Sequence, residues 1–108
     1  MNRQLQIDAF LLAAHRLGMQ RLRADPSRLR DVAGTLARWR SRAGETRADR
    51  YWDEWQALLD GGLDALEAAV CGVDDRATAL RNVSPFASLI TQQERGELLR
   101  ASRAGALS

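Results

Sequence analysis

Few side chains in this sequence could serve as a nucleophile, a general base or a metal ligand. There is one histidine, His15, and one cysteine, Cys71. Nucleophilic catalysis requires a base beside the nucleophile, and no serine, cysteine or aspartate pattern accompanies His15 in the sequence. A zinc site requires three or four ligands, which one cysteine and one histidine cannot supply. We therefore expect a surface or interfacial position for His15, with no metal and no cofactor.

The carboxylates are plentiful but do not form a catalytic motif. The acidic pairs Asp53–Glu54 and Asp74–Asp75 are sequence neighbours, and neighbouring side chains on a helix diverge instead of facing each other. The pair Gly61–Gly62 is not followed by the lysine and hydroxyl residue of a phosphate-binding loop. The sequence therefore predicts a protein that is not an enzyme.

Charge is distributed unevenly along the 108 residues. All 16 basic residues are arginine, whose planar guanidinium can pair with carboxylate or phosphate groups in a bidentate manner. Residues 1–50 carry 11 arginines and 5 acids, whereas residues 51–108 carry 5 arginines and 9 acids. This asymmetry indicates a polar partner or docking of the two halves on each other, with a simple solvated surface as the alternative.

Composition favours a soluble protein of the cytoplasm. A single cysteine excludes an intramolecular disulfide, so nothing indicates secretion. The longest apolar run, Ala9–Ala14, is far shorter than the roughly 20 residues of a membrane span. The amino terminus also lacks the pattern of a signal peptide. We expect a cytoplasmic protein without membrane association.

Helical periodicity and helix-start signals predict an all-α fold. No segment alternates as a strand would. Helix starts are indicated at Asp25–Pro26, at Ser84–Pro85 and at Thr91, whose hydroxyl forms a capping box with Glu94. We predict one domain, 1–108, that is a small bundle of about five to six helices without a sheet. Its parts are a basic helical hairpin (1–43), an acidic helical part (47–103) and a frayed tail (104–108).

Two features of the predicted helices bear on packing. The first helix, near residues 3–23, carries a wide apolar stripe that includes Leu5 and Ile7, so we expect burial on more than one side. The second helix contains Gly34, which weakens it by about 1 kcal/mol relative to alanine and suggests close approach of another helix.

Two groups of residues have the composition of a binding site. The first group contains residue types that dominate binding hot spots, namely Arg47, Arg50, Tyr51, Trp52 and Trp55. Trp39 and Trp55 also occupy positions typical of a core. The second group is a corner at Leu80–Leu89, where Ser84–Pro85 is also ordinary helix-start chemistry. Core anchoring and partner contact therefore both remain open for these residues.

Several stretches resemble a known family. They are Tyr51–Trp55, Leu58–Leu59 with Gly61, Leu63 and Leu66, then Leu80–Arg81, Ser84–Ala87, Glu94–Arg95 and Leu98–Arg100, preceded by Leu36 and Arg38–Arg40. The pattern resembles the small helical antitoxins of bacteria that are encoded beside nucleotidyltransferase toxins of the abortive-infection type. It covers roughly residues 29–103, with Ser84–Ala87 as its most specific part. The chain departs from it at Gly62, where the family has proline, and at Gly96, where the family has an aromatic residue.

The resemblance implies a toxin–antitoxin system in which this protein neutralises a cognate nucleotidyltransferase by protein–protein contact. It would cover or distort an active site that transfers nucleotides to RNA. An acidic surface could mimic phosphates there, or the arginine-rich half could grip catalytic carboxylates. We expect the partner-binding residues to be Arg50, Tyr51, Trp52, Arg81, Pro85 and Phe86.

Two alternative functions remain open. The arginine-rich amino-terminal half could bind nucleic acid as a transcriptional regulator, since clustered arginines contact phosphates. A polar recognition helix is not recognisable, so such binding is expected to be weak and non-specific. The wide first helix could instead make the protein a helical adaptor or a homo-oligomer.

Overall fold

The computed structural model describes residues 2–107, and within this range the chain forms six α-helices and no strand. The predicted all-α bundle is confirmed. Met1 and Ser108, which belong to the predicted hairpin 1–43 and tail 104–108, lie outside the described residues. No helix within 2–107 combines the length and the apolar character that a bilayer crossing requires. The helices are α1 (Arg3–Ala24), α2 (Leu29–Ala43), α3 (Asp49–Asp60), α4 (Leu63–Val70), α5 (Asp75–Asn82) and α6 (Gln92–Arg103), with 3₁₀ turns at Pro26–Arg28 and Phe86–Leu89.

The helix starts follow the capping signals of the sequence. The Asp25 carboxylate accepts a hydrogen bond from the Ser27 N–H at 3.2 Å, and the 3₁₀ turn that begins at Pro26 leads directly into α2. At α6 the Thr91 hydroxyl accepts from the Glu94 N–H at 3.0 Å, while the Glu94 carboxylate accepts from the Thr91 N–H at 2.9 Å. Because these caps are local, the sequence alone was sufficient to predict them.

Helix α1 is the central element of the bundle. It packs against α4, α5, α6 and the 3₁₀ turn Phe86–Leu89. Its buried side begins at Phe10 and continues through His15 to Leu22. Leu5 and Ile7 remain 64% and 40% exposed, so the wide apolar stripe expected for this helix is buried only from Phe10 onward.

Trp55 occupies the centre of the hydrophobic core. It is fully buried, and its indole Nε1–H donates to the Leu80 carbonyl at 3.1 Å, which joins α3 to α5. The Phe86 ring lies 5.4 Å from it, centroid to centroid. The predicted core position of Trp55 is confirmed, whereas Trp39 is only partly buried at the edge. The core comprises Met19, Leu22, Val32, Leu36, Trp52, Trp55, Leu59, Leu66, Val70, Leu80, Phe86 and Leu89.

The close approach predicted for a glycine occurs at a different glycine. A Cβ atom on Gly34 would meet only the Arg38 side chain of its own helix, at 3.5 Å. A Cβ atom on Gly18 of α1 would lie 2.8 Å from Cδ2 of Phe86. The glycine that permits tight packing is therefore Gly18, and the prediction for Gly34 is wrong.

Ion pairs join the basic half of the chain to the acidic half. They lie between α1 and α4, between α1 and α6, and between α2 and α3, so the two oppositely charged halves dock on each other. The hydrogen bonds that Arg23 donates to the carboxylates of Glu67 and Asp64 raise the pKa of Arg23. The pairs are Arg21–Glu94, Arg23–Asp64 at 2.8 Å, Arg23–Glu67 at 2.6 Å and Arg40–Asp53.

Helix α6 ends in a hydrogen-bonded cap. Gly105 has a φ of 72°, its N–H donates to the Ser102 carbonyl at 3.2 Å, and the Ala106 N–H donates to the Ala101 carbonyl at 2.9 Å. This is the pattern of a Schellman motif, which satisfies carbonyls left free at a helix end. The described part of the predicted frayed tail therefore folds back onto the helix.

Candidate functional site

The six predicted partner-binding residues do not form one accessible surface. Arg50 is exposed and Tyr51 is half-buried, but the other four are buried in the folded chain. The prediction that these four side chains form an accessible contact face is therefore wrong. A small core needs large side chains, and aromatic residues bury the largest areas. The buried four are Trp52, Arg81, Pro85 and Phe86.

Arg81 is buried because it closes the end of another helix. Its Nη1 group donates to the carbonyls of Val70 at 2.8 Å and Gly72 at 2.6 Å, where α4 ends. These carbonyls carry the negative end of the helix dipole, which favours a cation. Burial lowers the pKa of Arg81, and its Nε–H has no hydrogen-bond partner. Since arginine is rarely fully buried, sequence reasoning placed it at the surface.

His15 is buried as well, so the predicted surface or interfacial position is wrong. It is 3% exposed, and its ring stacks on Phe86 with centroids 4.9 Å apart. The Leu11 carbonyl, 2.7 Å from Nδ1, can only accept, so Nδ1 carries the proton. Nε2 then accepts the Ser84 hydroxyl at 2.6 Å, although 69 residues separate the two in the sequence.

The Ser84–His15 pair has the geometry of a nucleophile and a base but not the matched basicity. Burial, together with the nearby charge of Arg81, lowers the pKa of His15 to about 4. A general base works best with a pKa near the working pH, so this imidazole is a weak base at neutral pH. Ser84 also accepts the Phe86 N–H at 3.2 Å. The pair therefore holds the Ser84–Pro85 corner against α1.

The exposed members of the predicted site border an open cleft between α3 and α5. We call it the Tyr51 cleft; it has a volume of about 550 Å³. The Arg50 guanidinium lies 4.9 Å from the centroid of the Tyr51 ring and donates to its hydroxyl at 3.1 Å. The cleft is lined by Arg50, Tyr51, Glu54, Asp75, Arg76 and Ala79, with an ion pair between Arg76 and Glu54.

A second, shallower depression lies between α2 and α3. It has a volume of about 370 Å³ and is lined by Trp39, Arg42, Ala43 and Trp52, which we call the tryptophan patch. Trp39 is half-buried, and the largely buried Trp52 contributes an edge. Sequence reasoning assigned Trp39 to the core because it follows the apolar periodicity of α2.

An arginine without an ion-pair partner lines the tryptophan patch. Among residues 2–107, seven of the 11 arginines of the basic half form no ion pair, and Arg42 is the one of them that lines the patch. The acidic half differs, because five of its nine carboxylates pair with arginine. Those five are Asp53, Glu54, Asp64, Glu67 and Glu94.

Among residues 2–107, no group of three or more histidine, cysteine or carboxylate side chains lies close enough together to hold a metal ion. Cys71 is half-buried, and burial raises the pKa of its thiol, which keeps it protonated at neutral pH.

No protein family, no curated protein and no solved structure matches this chain.

Proposed function

We propose that this protein is an antitoxin that neutralises a nucleotidyltransferase toxin by direct contact, through the tryptophan patch with its Arg42 and through the exposed Arg50. The observation that carries the binding surface is the open aromatic depression itself, which Arg42 lines together with Trp39 and Trp52. Arg42 forms no ion pair among residues 2–107. The class of partner rests on the resemblance of residues 29–103 to antitoxins of that type.

The chemistry of the patch suits a carboxylate-bearing protein face. Tryptophan and arginine concentrate binding energy at protein interfaces, and the guanidinium group pairs with carboxylates in a bidentate manner. Phosphate mimicry by the acidic half is less well supported, because most of its carboxylates are already paired within the chain. We therefore favour a grip on acidic groups of the toxin.

The buried members of the predicted site support binding indirectly, by stabilising the fold that presents the patch. Arg81, Pro85 and Phe86 hold α4, α5 and α1 together and so maintain the shape of the bundle. Trp52 adds one edge to the patch while the rest of its ring packs in the core. Contact with the partner then falls to Trp39, Arg42 and Arg50.

The test is binding to the nucleotidyltransferase encoded beside this gene, measured by calorimetry. Trp39→Ala, Arg42→Ala and Arg50→Ala are compared with Arg100→Ala, an exposed arginine on α6 away from the patch. A hot-spot side chain contributes about 2 kcal/mol or more, roughly a thirtyfold loss of affinity on removal. We expect Trp39→Ala or Arg42→Ala, the two variants in the patch, to lose that much and Arg100→Ala to bind normally. Normal binding by Trp39→Ala, Arg42→Ala and Arg50→Ala alike, or lack of such a neighbouring gene, would overturn the proposal.

The same unpaired arginines support nucleic-acid binding as a second candidate. Phosphate-driven binding weakens steeply as salt rises. Titration of duplex DNA at low and physiological salt separates the two functions. Tight, site-specific DNA binding at physiological salt that is lost in Arg42→Ala would favour the regulator.

A further inference from the structure

A small cavity lies where α1 meets the Ser84–Pro85 corner. Its volume is about 80 Å³. Arg81, His15 and Ser84 form its polar side, and Phe10 and Phe86 belong to its apolar side. Exposed residues, Ala87 and Arg95, stand at its mouth. The Arg95 guanidinium lies 5.1 Å from the centroid of the Phe10 ring. The donors of His15 and Ser84 are engaged with Leu11 and with each other, so the cavity combines the Arg81 cation with an apolar wall and an opening.

The charge inside this cavity is unbalanced. Arg81 is 4% exposed and pairs with no carboxylate among residues 2–107. Two carbonyls accept from its Nη1 group and the Thr78 hydroxyl accepts from Nη2 at 3.4 Å, but its buried Nε–H has no acceptor. Asp8 and Asp74 act on the charge of Arg81 without forming an ion pair with it. A buried cation without a directly paired counter-ion is costly, and so is a buried donor without an acceptor.

We propose that this cavity binds a small monocarboxylate. Its carboxylate would accept hydrogen bonds from the Arg81 guanidinium and supply a directly paired counter-charge, and its short aliphatic tail would lie against Phe10 and Phe86. The volume accommodates about three water molecules at about 30 Å³ each, which is the size of an acid with two or three carbons. The apolar wall disfavours a fully hydrated tetrahedral anion such as phosphate. The inference does not depend on the proposed toxin binding.

The probe is propionate, titrated into the full chain and followed by the ¹H–¹⁵N resonances of Arg81 Nε and of the Ser84 amide. n-Propanol and inorganic phosphate serve as controls for shape and charge. Since so few atoms limit affinity, we expect saturable shifts with a roughly millimolar dissociation constant for propionate and no saturation for either control. No response to propionate, or an equal response to propanol or phosphate, would overturn the proposal.

Two variants locate the site. Arg81→Met removes the proposed donor and should weaken binding at least tenfold. Because Arg81 also supports the fold, Ala14→Val provides a second test: Ala14 lines the cavity, and the added methyl groups should block it. Ala13→Val, on a different side of α1 and outside this cavity, is the matched control. Propionate binding that survives Ala14→Val unchanged would place the ligand elsewhere and refute the assignment.

Discussion

Gly18 of α1 lies directly against the ring of Phe86, so close that a Cβ atom on it would stand 2.8 Å from Cδ2. The ring has little room to yield, because it is buried and stacked on His15. The position of the Phe86–Leu89 turn on α1 therefore depends on the absence of a side chain at residue 18.

This contact predicts opposite effects for two glycine-to-alanine substitutions in helices. Gly18→Ala gains helix propensity but overpacks the core, which typically costs about 1–3 kcal/mol. Gly34→Ala meets only its own helix and should stabilise the protein by up to about 1 kcal/mol. Urea unfolding of both variants measures the difference. A Gly18→Ala protein as stable as Gly34→Ala would show that the helix and the turn can separate freely.

The buried histidine predicts a loss of stability in mild acid. Its pKa is about 4 in the folded protein and 6.5 in the unfolded chain, so between these values the unfolded state binds more protons. Stability is full above about pH 6.5 and falls as the pH approaches 4, by about 3 kcal/mol at most. The check is the free energy of unfolding at pH 7, 6 and 5.

His15→Gln is the control for that pH profile. It should be less stable at pH 7, since it loses the stacking on Phe86, but should lack the decline between pH 6.5 and 5. The lowered pKa of Glu94 contributes a loss in the same direction, but at lower pH. Parallel profiles for the wild type and His15→Gln would assign the acid sensitivity to other groups.

Phe86 and Arg50, both expected at a partner surface from the sequence, should behave differently on truncation. Phe86→Ala removes a core ring and should cost about 3–5 kcal/mol of folding free energy. Arg50→Ala alters an exposed side chain and should stay within about 0.5 kcal/mol. Thermal denaturation distinguishes them, and a Phe86→Ala variant with unchanged melting temperature would contradict the core position.

Thr91 should stabilise α6 through its hydroxyl. Thr91→Ala removes the acceptor for the Glu94 N–H and is expected to cost about 1 kcal/mol, the usual contribution of an N-cap. Thr91→Ser keeps the hydroxyl and should be nearly neutral. Equal stability of the two variants, measured by urea unfolding, would mean that water replaces the cap.

The helices were predictable from sequence because their signals are local. Caps such as Asp25–Pro26 and Thr91 act within three residues, and apolar periodicity needs only a few turns. The contacts of His15 were not predictable in this way, because Ser84 is 69 residues distant. Arg81 was misplaced for a similar reason, since only the fold shows that it caps the end of α4. The spacing of Ala14 and Gly18, small residues one turn apart on α1, is the signal that could have indicated the tight contact.

The dependence of α1 on distant partners has a consequence for biosynthesis. Helix α1 leaves the ribosome before Ser84 and Glu94, which bond to it and are made 69 and 73 residues after their partners. Domains fold as units during synthesis, and α1 packs on α6 as well as on α4 and α5, so translation must pass Glu94 before the apolar side of α1 is fully covered. Until then the nascent chain exposes apolar side chains of α1 that the folded protein buries.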